Sequence, residues 1–148
     1  MHNYSSVRVG VAGATGYAGL ELLRRLSRHP GADVRFAMAS SASEAKRLPA
    51  LARIWDNPVE PLDVDRLATG TDAVFLAVPE TLAAELGPAL ADRGTRVFDL
   101  SGAFRLRDAA ERQRWYPHSP ATMVNVAYGL TERRRLELAG ARLVACPG

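Results

Sequence analysis

The sequence predicts a doubly wound, mostly parallel α/β sheet folded as a single domain. Three observations lead there: nearly unbroken apolar runs of strand length, amphipathic helical stretches alternating with them, and a glycine-rich junction between the first run and the first helix. A chain of 148 residues is long enough to bury one hydrophobic core.

The elements follow in order. "VRVGVAG", residues 7–13, is almost wholly apolar, as a parallel strand covered on both faces should be. In "YAGLELLRRLSRHP", Leu20, Leu22, Leu23 and Leu26 share one side and Arg24, Arg25 and Arg28 another, with Pro30 as the stop. "DVRFAMASS", residues 33–41, is a second strand. Over residues 42–61 Pro49, Pro58 and Pro61 interrupt any period, which predicts a loop with a short helix. Next come the strand "DAVFLAVP" (72–79), the helix "ETLAAELGPALADRG" (80–94) and the strand "TRVFDLS" (95–101). "DAAERQRWY" (108–116) predicts a short helix that leaves through "PHSP". "VNVAYGL" (124–130) is a short strand, "TERRRLELAG" (131–140) a helix with Thr131 as its N-cap, and "ARLVACPG" (141–148) a last strand.

Net charge is +3, carried almost entirely by arginine, since Lys46 is the one lysine. The arginines are scattered over predicted helix faces with no interleaved aromatics, which argues against a nucleic-acid partner. The opening residues have neither the charged and apolar regions nor the cleavage site of a secretory leader, and no run is long enough to span a bilayer. With Cys146 the only cysteine, no internal disulfide can form and no thiol pair is available to a metal. The expectation is a cytoplasmic protein with no membrane partner and no metal ligand.

The glycine junction is a strand, a turn and a helix carrying Gly13-Ala-Thr-Gly16-Tyr-Ala-Gly19, a relative of the Rossmann-like dinucleotide fingerprint. Gly13 allows the tight turn, Gly16 lets the backbone approach a pyrophosphate, and Gly19 lets the helix pack against the strand. Amides at the helix start then hold the phosphates, which makes Gly13, Thr15, Gly16 and Tyr17 candidate cofactor contacts. A ribose-binding acid is expected at the end of the second strand. Asp33 lies at that strand's beginning, whereas Ser40 and Ser41, with Lys46 and Arg47 nearby, offer hydroxyls and positive charge. Those suit a 2′-phosphate, so the expected cofactor is NADP.

Ligands of an open α/β sheet bind beyond the carboxyl ends of its strands. Two further ends supply candidates: Pro79, followed by Glu80, and Ser101, followed by "GAFR". Pro79 and Ser101 are read as cofactor contacts. Arg105 is placed to pair bidentately with a phosphate or carboxylate, or it is simply a surface arginine.

With these segments in order, the sequence resembles the N-acetyl-γ-glutamyl-phosphate reductases of the aspartate-semialdehyde dehydrogenase superfamily. The features that carry the resemblance are "GVAGATGYAGLELLRRLSRHP", "DAVFLAVP", "VFDLSGAFRLRD", "WYPHSPA", "VAYGLTE" and "GARLVACPG". Aspartate-semialdehyde dehydrogenases share the chemistry and a glycine motif, but "WYPHSPA" and "AYGLTE" favour the former. The resemblance implies reduction of an acyl phosphate to an aldehyde in arginine biosynthesis. A cysteine thiolate attacks the acyl carbonyl and expels phosphate, NADPH delivers hydride to the thioester, and a histidine serves as acid and base. It also implies that Arg105 is a substrate-phosphate ligand and that the full-length protein is a homo-oligomer. Glu80 stands where the family often carries a histidine.

In the family the nucleophile follows a Pro-Gly pair. Pro147 and Gly148 are that pair here, so Cys146 matches the variable residue before it and the expected nucleophile lies beyond Gly148. Physical reasoning agrees. A residue before proline is held extended at a strand end, where Cys146 packs as a small hydrophobe, whereas the residue after the glycine would begin a helix whose dipole favours a thiolate. His2, His29 and His118 are read as terminus, helix-end and loop residues, Trp115 and Tyr116 as a packing anchor, and Asp99 as a loop-fixing group rather than a base. No residue is assigned a catalytic role. Residues 1–148 are therefore expected to be a dinucleotide-binding domain ending before a catalytic and dimerisation domain, inactive alone. An aspartate-semialdehyde dehydrogenase-like enzyme and a non-catalytic nucleotide-binding module are the alternatives.

Overall fold

The computed structural model describes residues 6–40, 44–117, 119 and 125–148. Its centre is a seven-stranded sheet in the order β3-β2-β1-β4-β5-β7-β6, and every pairing between these strands is parallel. The strands are β1 (Val7–Ala12), β2 (Ala32–Ala39), β3 (Glu60–Pro61), β4 (Ala73–Leu76), β5 (Arg96–Asp99), β6 (Val126–Tyr128) and β7 (Leu143–Ala145). Between them run α1 (Tyr17–Leu26), α2 (Val64–Gly70), α3 (Glu80–Asp92), α4 (Ala109–Trp115) and α5 (Thr131–Gly140), with a 3-10 turn at Pro49–Leu51.

Two cores form because side chains alternate across a strand. Val11, Ala37 and Ala39 meet Leu23 of α1 and Leu51 of the 3-10 turn on one face. Ala12, Met38, Val74, Leu76 and Val97 meet Leu67 of α2 and Leu86 and Leu90 of α3 on the other. Helices on both faces make the sheet doubly wound, as the apolar strand runs predict. Truncating a fully buried leucine such as Leu23 or Leu90 costs about 2–5 kcal/mol.

Three local expectations change. Helix α2 adds an element between the expected loop and the β4 strand. It rests on one buried residue, Leu67, and starts at Asp63, whose carboxylate accepts from the Arg66 amide at 2.9 Å. Thr131 is not the N-cap of α5. The Leu130 carbonyl accepts from the Arg133 and Arg134 amides, 3.1 and 2.9 Å away, so Leu130 takes the capping position and Thr131 is the first helical residue. Trp115 is no anchor either, as described below. No described helix is long and apolar enough to cross a membrane.

Candidate functional site

The strand order reverses between β1 and β4, and the carboxyl ends of these two strands flank the place where open α/β sheets bind ligands. After β1 the chain turns through Gly13, whose φ of +88° lies in the left-handed region. A Cβ there would also collide with the Ala77 carbonyl beyond β4, so glycine is required twice over. The Gly13 and Ala14 amides both donate to the Met38 carbonyl, at 2.8 and 3.0 Å, which fastens the turn to the end of β2. At Gly19 a Cβ would strike the Gly13 carbonyl and the Ala14 backbone, so this glycine sets how closely α1 approaches the turn.

Gly16 is different. It is the N-cap of α1, in extended conformation, and a Cβ there would meet only the Gly13 oxygen, at an ordinary 3.6 Å. Nothing within the chain demands a glycine at that position. The amides of Thr15, Tyr17 and Ala18 find no acceptor among the described residues. Open room above Gly16 and unspent donors at the positive end of a helix dipole are what a pyrophosphate requires. Tyr17 itself is almost fully exposed.

Ser40 is exposed just past β2, and Ser41 lies outside the described residues. Asp33 sits at the opposite end of β2, ion-paired with Arg35 and about 20 Å from Ser40 by strand rise. Lys46 pairs through its backbone with Val59, just before β3, one strand further out than Ser40. Pro79 caps α3, and with Glu80 and Ser101 it lines a cavity of about 450 Å³ between the ends of β4 and β5.

The segment after β5 is fastened at every turn. Asp99 is fully buried and accepts from the Ser101 amide and hydroxyl, each at 3.0 Å, while the Ser101 oxygen accepts from the Ala103 amide at 3.1 Å. Burial pushes the Asp99 carboxyl above its usual range, against the pull of Ser101 and Arg105. This is the loop-fixing role the sequence suggests for Asp99, and it leaves the Ser101 hydroxyl with its one proton spent. Arg105 donates from Nε to the Cys146 carbonyl at 3.0 Å and from Nη2 to the Leu100 carbonyl at 2.8 Å. Gly148 lies against the remaining nitrogen, since a Cβ built on it would fall 2.6 Å from Nη1. Arg105 is thus neither a surface arginine nor wholly spent.

Tyr116 does anchor this segment, because its ring lies where a side chain at Gly102 would be. Trp115 is 60% exposed, held by Glu111 at 2.9 Å and stacked with Arg114. Its neighbour Arg112, which the sequence reading missed, is buried and donates to the Leu106 and Arg107 carbonyls at 2.9 and 2.7 Å. The Cys146 thiol is pushed up chiefly by burial, then by Asp99, with Arg105 opposing. His29 accepts from the Gly31 amide through Nδ1 at 3.1 Å beyond the end of α1, and His2 and His118 lie outside the described residues. No cluster of three metal-binding side chains occurs among the described residues.

A family model for the semialdehyde dehydrogenase NAD-binding domain matches residues 8–141. The chain belongs to this family. As a semialdehyde dehydrogenase NAD-binding domain it is a nicotinamide-nucleotide-binding domain. It is 42% identical to the N-acetyl-gamma-glutamyl-phosphate reductase of Brevibacillus brevis, over 96% of this chain and 43% of that protein. To the enzyme of the same name from Halorhodospira halophila it is 45% identical, again over 96% of this chain and 43% of that protein. The chain therefore spans less than half the length of these relatives. Among solved structures, a probable aspartate-semialdehyde dehydrogenase from Pseudomonas aeruginosa superposes with a TM-score of 0.66 and 21% identity, covering 97% of this chain and 38% of that one. Aspartate semialdehyde dehydrogenase with NADP from Candida albicans gives 0.62 and 18%, over 96% and 42%. At such identities these two share the domain's fold.

Proposed function

We propose that this chain is the NADP-binding domain of an NADPH-dependent N-acetyl-γ-glutamyl-phosphate reductase acting in arginine biosynthesis. The observation that carries the reading is the Gly13–Gly19 turn: unspent amides at the start of α1 and room above Gly16, set at the reversal of strand order. The named relatives support the choice of reaction.

NADPH, when bound, supplies hydride. The chain's own residues do the holding. Gly13, Thr15, Gly16 and Tyr17 cradle the pyrophosphate through their backbone. Ser40 and Ser41 hold the 2′-phosphate just past the end of β2. Pro79 and Ser101 wall the cavity next to the turn and orient the ring that reacts.

Arg105 holds the substrate phosphate with Nη1, the part of its guanidinium that the Leu100 and Cys146 carbonyls leave unspent. The nucleophilic cysteine is the residue after Gly148 in the full-length protein, where the Arg105 charge favours a thiolate. Cys146 is read as a packing residue rather than that nucleophile, because it precedes Pro147 just past the end of β7, and desolvation raises its thiol as well. The catalytic and dimerisation part follows this domain, and the whole enzyme works in the cytoplasm as a homo-oligomer.

The test is NADP- and phosphate-dependent oxidation of N-acetylglutamate semialdehyde. The full-length protein should catalyse it, and residues 1–148 alone should bind NADPH and turn over nothing. Robust turnover by the 148-residue chain would overturn the placement of the nucleophile, and inactivity of the full-length protein would overturn the substrate.

A further inference from the structure

The cavity between the ends of β4 and β5 is lined by Val78, Pro79, Glu80, Thr81, Ser101 and Gly102. Of these described residues only Glu80 carries a charge. It is half-buried as the first residue of α3, yet among the described residues its carboxylate has no ion pair and no side-chain hydrogen bond. That charge is unspent.

A second carboxylate lies behind the same wall. Asp99 is fully buried and accepts from the Ser101 amide and hydroxyl. Burial does most to push the Asp99 carboxyl up, Ser101 and Arg105 pull it down, and the Glu80 charge pushes it up again, so the field of Glu80 reaches the Ser101 side of the cavity. Arg105 is the counter-charge on the Asp99 side. It is held by the Leu100 and Cys146 carbonyls and does not line the cavity, so the charge that a ligand in the cavity meets at its wall is the carboxylate of Glu80.

A ring seated there is selected by its charge. The oxidised nicotinamide ring carries one positive charge and the reduced ring none, whereas the phosphates and riboses of the two forms are the same. A carboxylate in the wall attracts the first ring and gains nothing from the second.

We propose that Glu80 sets the relative affinity of this domain for the two redox forms of its cofactor, favouring NADP⁺ over NADPH. The proposal rests on the reading of this cavity as the seat of the reacting ring. It adds a residue that acts on the chemistry and not merely on the grip. Departure of the hydride with its electron pair leaves the ring with the positive charge that Glu80 stabilises, so a site that favours the oxidised form makes bound NADPH the stronger hydride donor. An acid in the first turn of a helix also suits the helix dipole. That structural role would not distinguish the two forms.

The experiment uses the 148-residue chain, with NADPH titrated by fluorescence and NADP⁺ by competition against bound NADPH. Glu80→Gln should raise the ratio of the NADP⁺ to the NADPH dissociation constant about fivefold, as expected for losing one partly screened charge near the ring. Glu80→His, with no negative charge, should raise it at least as far, and Glu80→Asp should leave it close to the parent's. Glu85→Gln removes a charge from the same helix at an exposed position outside the cavity and should leave the ratio unchanged. Added NaCl should shrink the difference between the parent and Glu80→Gln.

If both forms bind the parent and the ratio is the same in Glu80→Gln and Glu80→His, the role of Glu80 is refuted and the cofactor reading stands. Equal weakening of both forms, with a lower melting temperature, would reduce Glu80 to a helix-start residue and refute it too. Should the parent bind neither form, the cofactor reading itself falls and takes this proposal with it.

Discussion

The guanidinium of Arg105 donates to the carbonyl of Cys146 across 3.0 Å, joining residues 41 positions apart in sequence. The same side chain reaches back to the Leu100 carbonyl at 2.8 Å. One arginine thus ties the segment leaving β5 to the segment leaving β7, the two strands that pair through Asp99 and Ala145.

Removing that tie should destabilise the domain even without substrate. Arg105→Leu takes away two charge-assisted bonds from a half-buried position and is expected to cost about 1.5–3 kcal/mol. Thermal melts of the parent and variant should differ by several degrees. Arg105→Lys keeps the charge but not the fork and should fall between them. A Leu variant that melts with the parent would show that the tie does not support the fold.

A second effect appears in acid. Arg8 binds Asp72 through its side chain and its amide, bringing the start of β1 to the start of β4, and holds the Asp72 carboxyl down at about 2, against 3.8 for a free aspartate. The folded value is below the unfolded one, so the stabilisation is present above 3.8 and is lost as pH falls towards about 2. Denaturant melts between those limits should therefore show a shallower acid loss in Asp72→Asn than in the parent. The pair is exposed, so raising salt should shrink the difference. Equal acid slopes in the two proteins would contradict this.

At the end of β2 the prediction concerns cofactor choice. Ser40→Asp places a carboxylate where it repels a 2′-phosphate and accepts from a 2′-hydroxyl. The ratio of NADPH to NADH affinity should fall at least about tenfold, or 1.4 kcal/mol. Fluorescence titrations with both nucleotides measure it, and an unchanged ratio would remove Ser40 from the 2′-phosphate site.

How much of this was readable in advance depended on whether a residue's role is local. The β1 turn, α1 and the buried strands announce themselves through glycine spacing and apolar runs, because backbone conformation and burial leave marks in the sequence nearby. Helix α2 left a weaker mark. Its seven residues bury only Leu67, and its one clear signal was Asp63 as an N-cap. Thr131 misled because a threonine before a polar helix looks like a cap, while the Leu130 carbonyl took that place.

Contacts between distant residues were out of reach. Nothing near Arg105 foretells the Cys146 carbonyl, and nothing near Arg112 foretells that a guanidinium will be buried to hold the turn at Leu106 and Arg107. In "WYPHSP" the two aromatics looked alike, but packing against Gly102 selected Tyr116 and left Trp115 to solvent. Glu80 and Ser101 became neighbours only once β4 and β5 had placed them around one cavity.

The central claim is that the open room above Gly16 exists for a dinucleotide's pyrophosphate, and Gly16→Val tests it most directly. The extended backbone at Gly16 and the absence of close neighbours should let the variant fold with nearly the parent's melting temperature. NADPH titrated into both proteins and followed by fluorescence should bind the parent and lose affinity at least about a hundredfold in the variant, or 2.7 kcal/mol. Equal binding by a folded Gly16→Val protein, or no binding by the parent, would contradict the account.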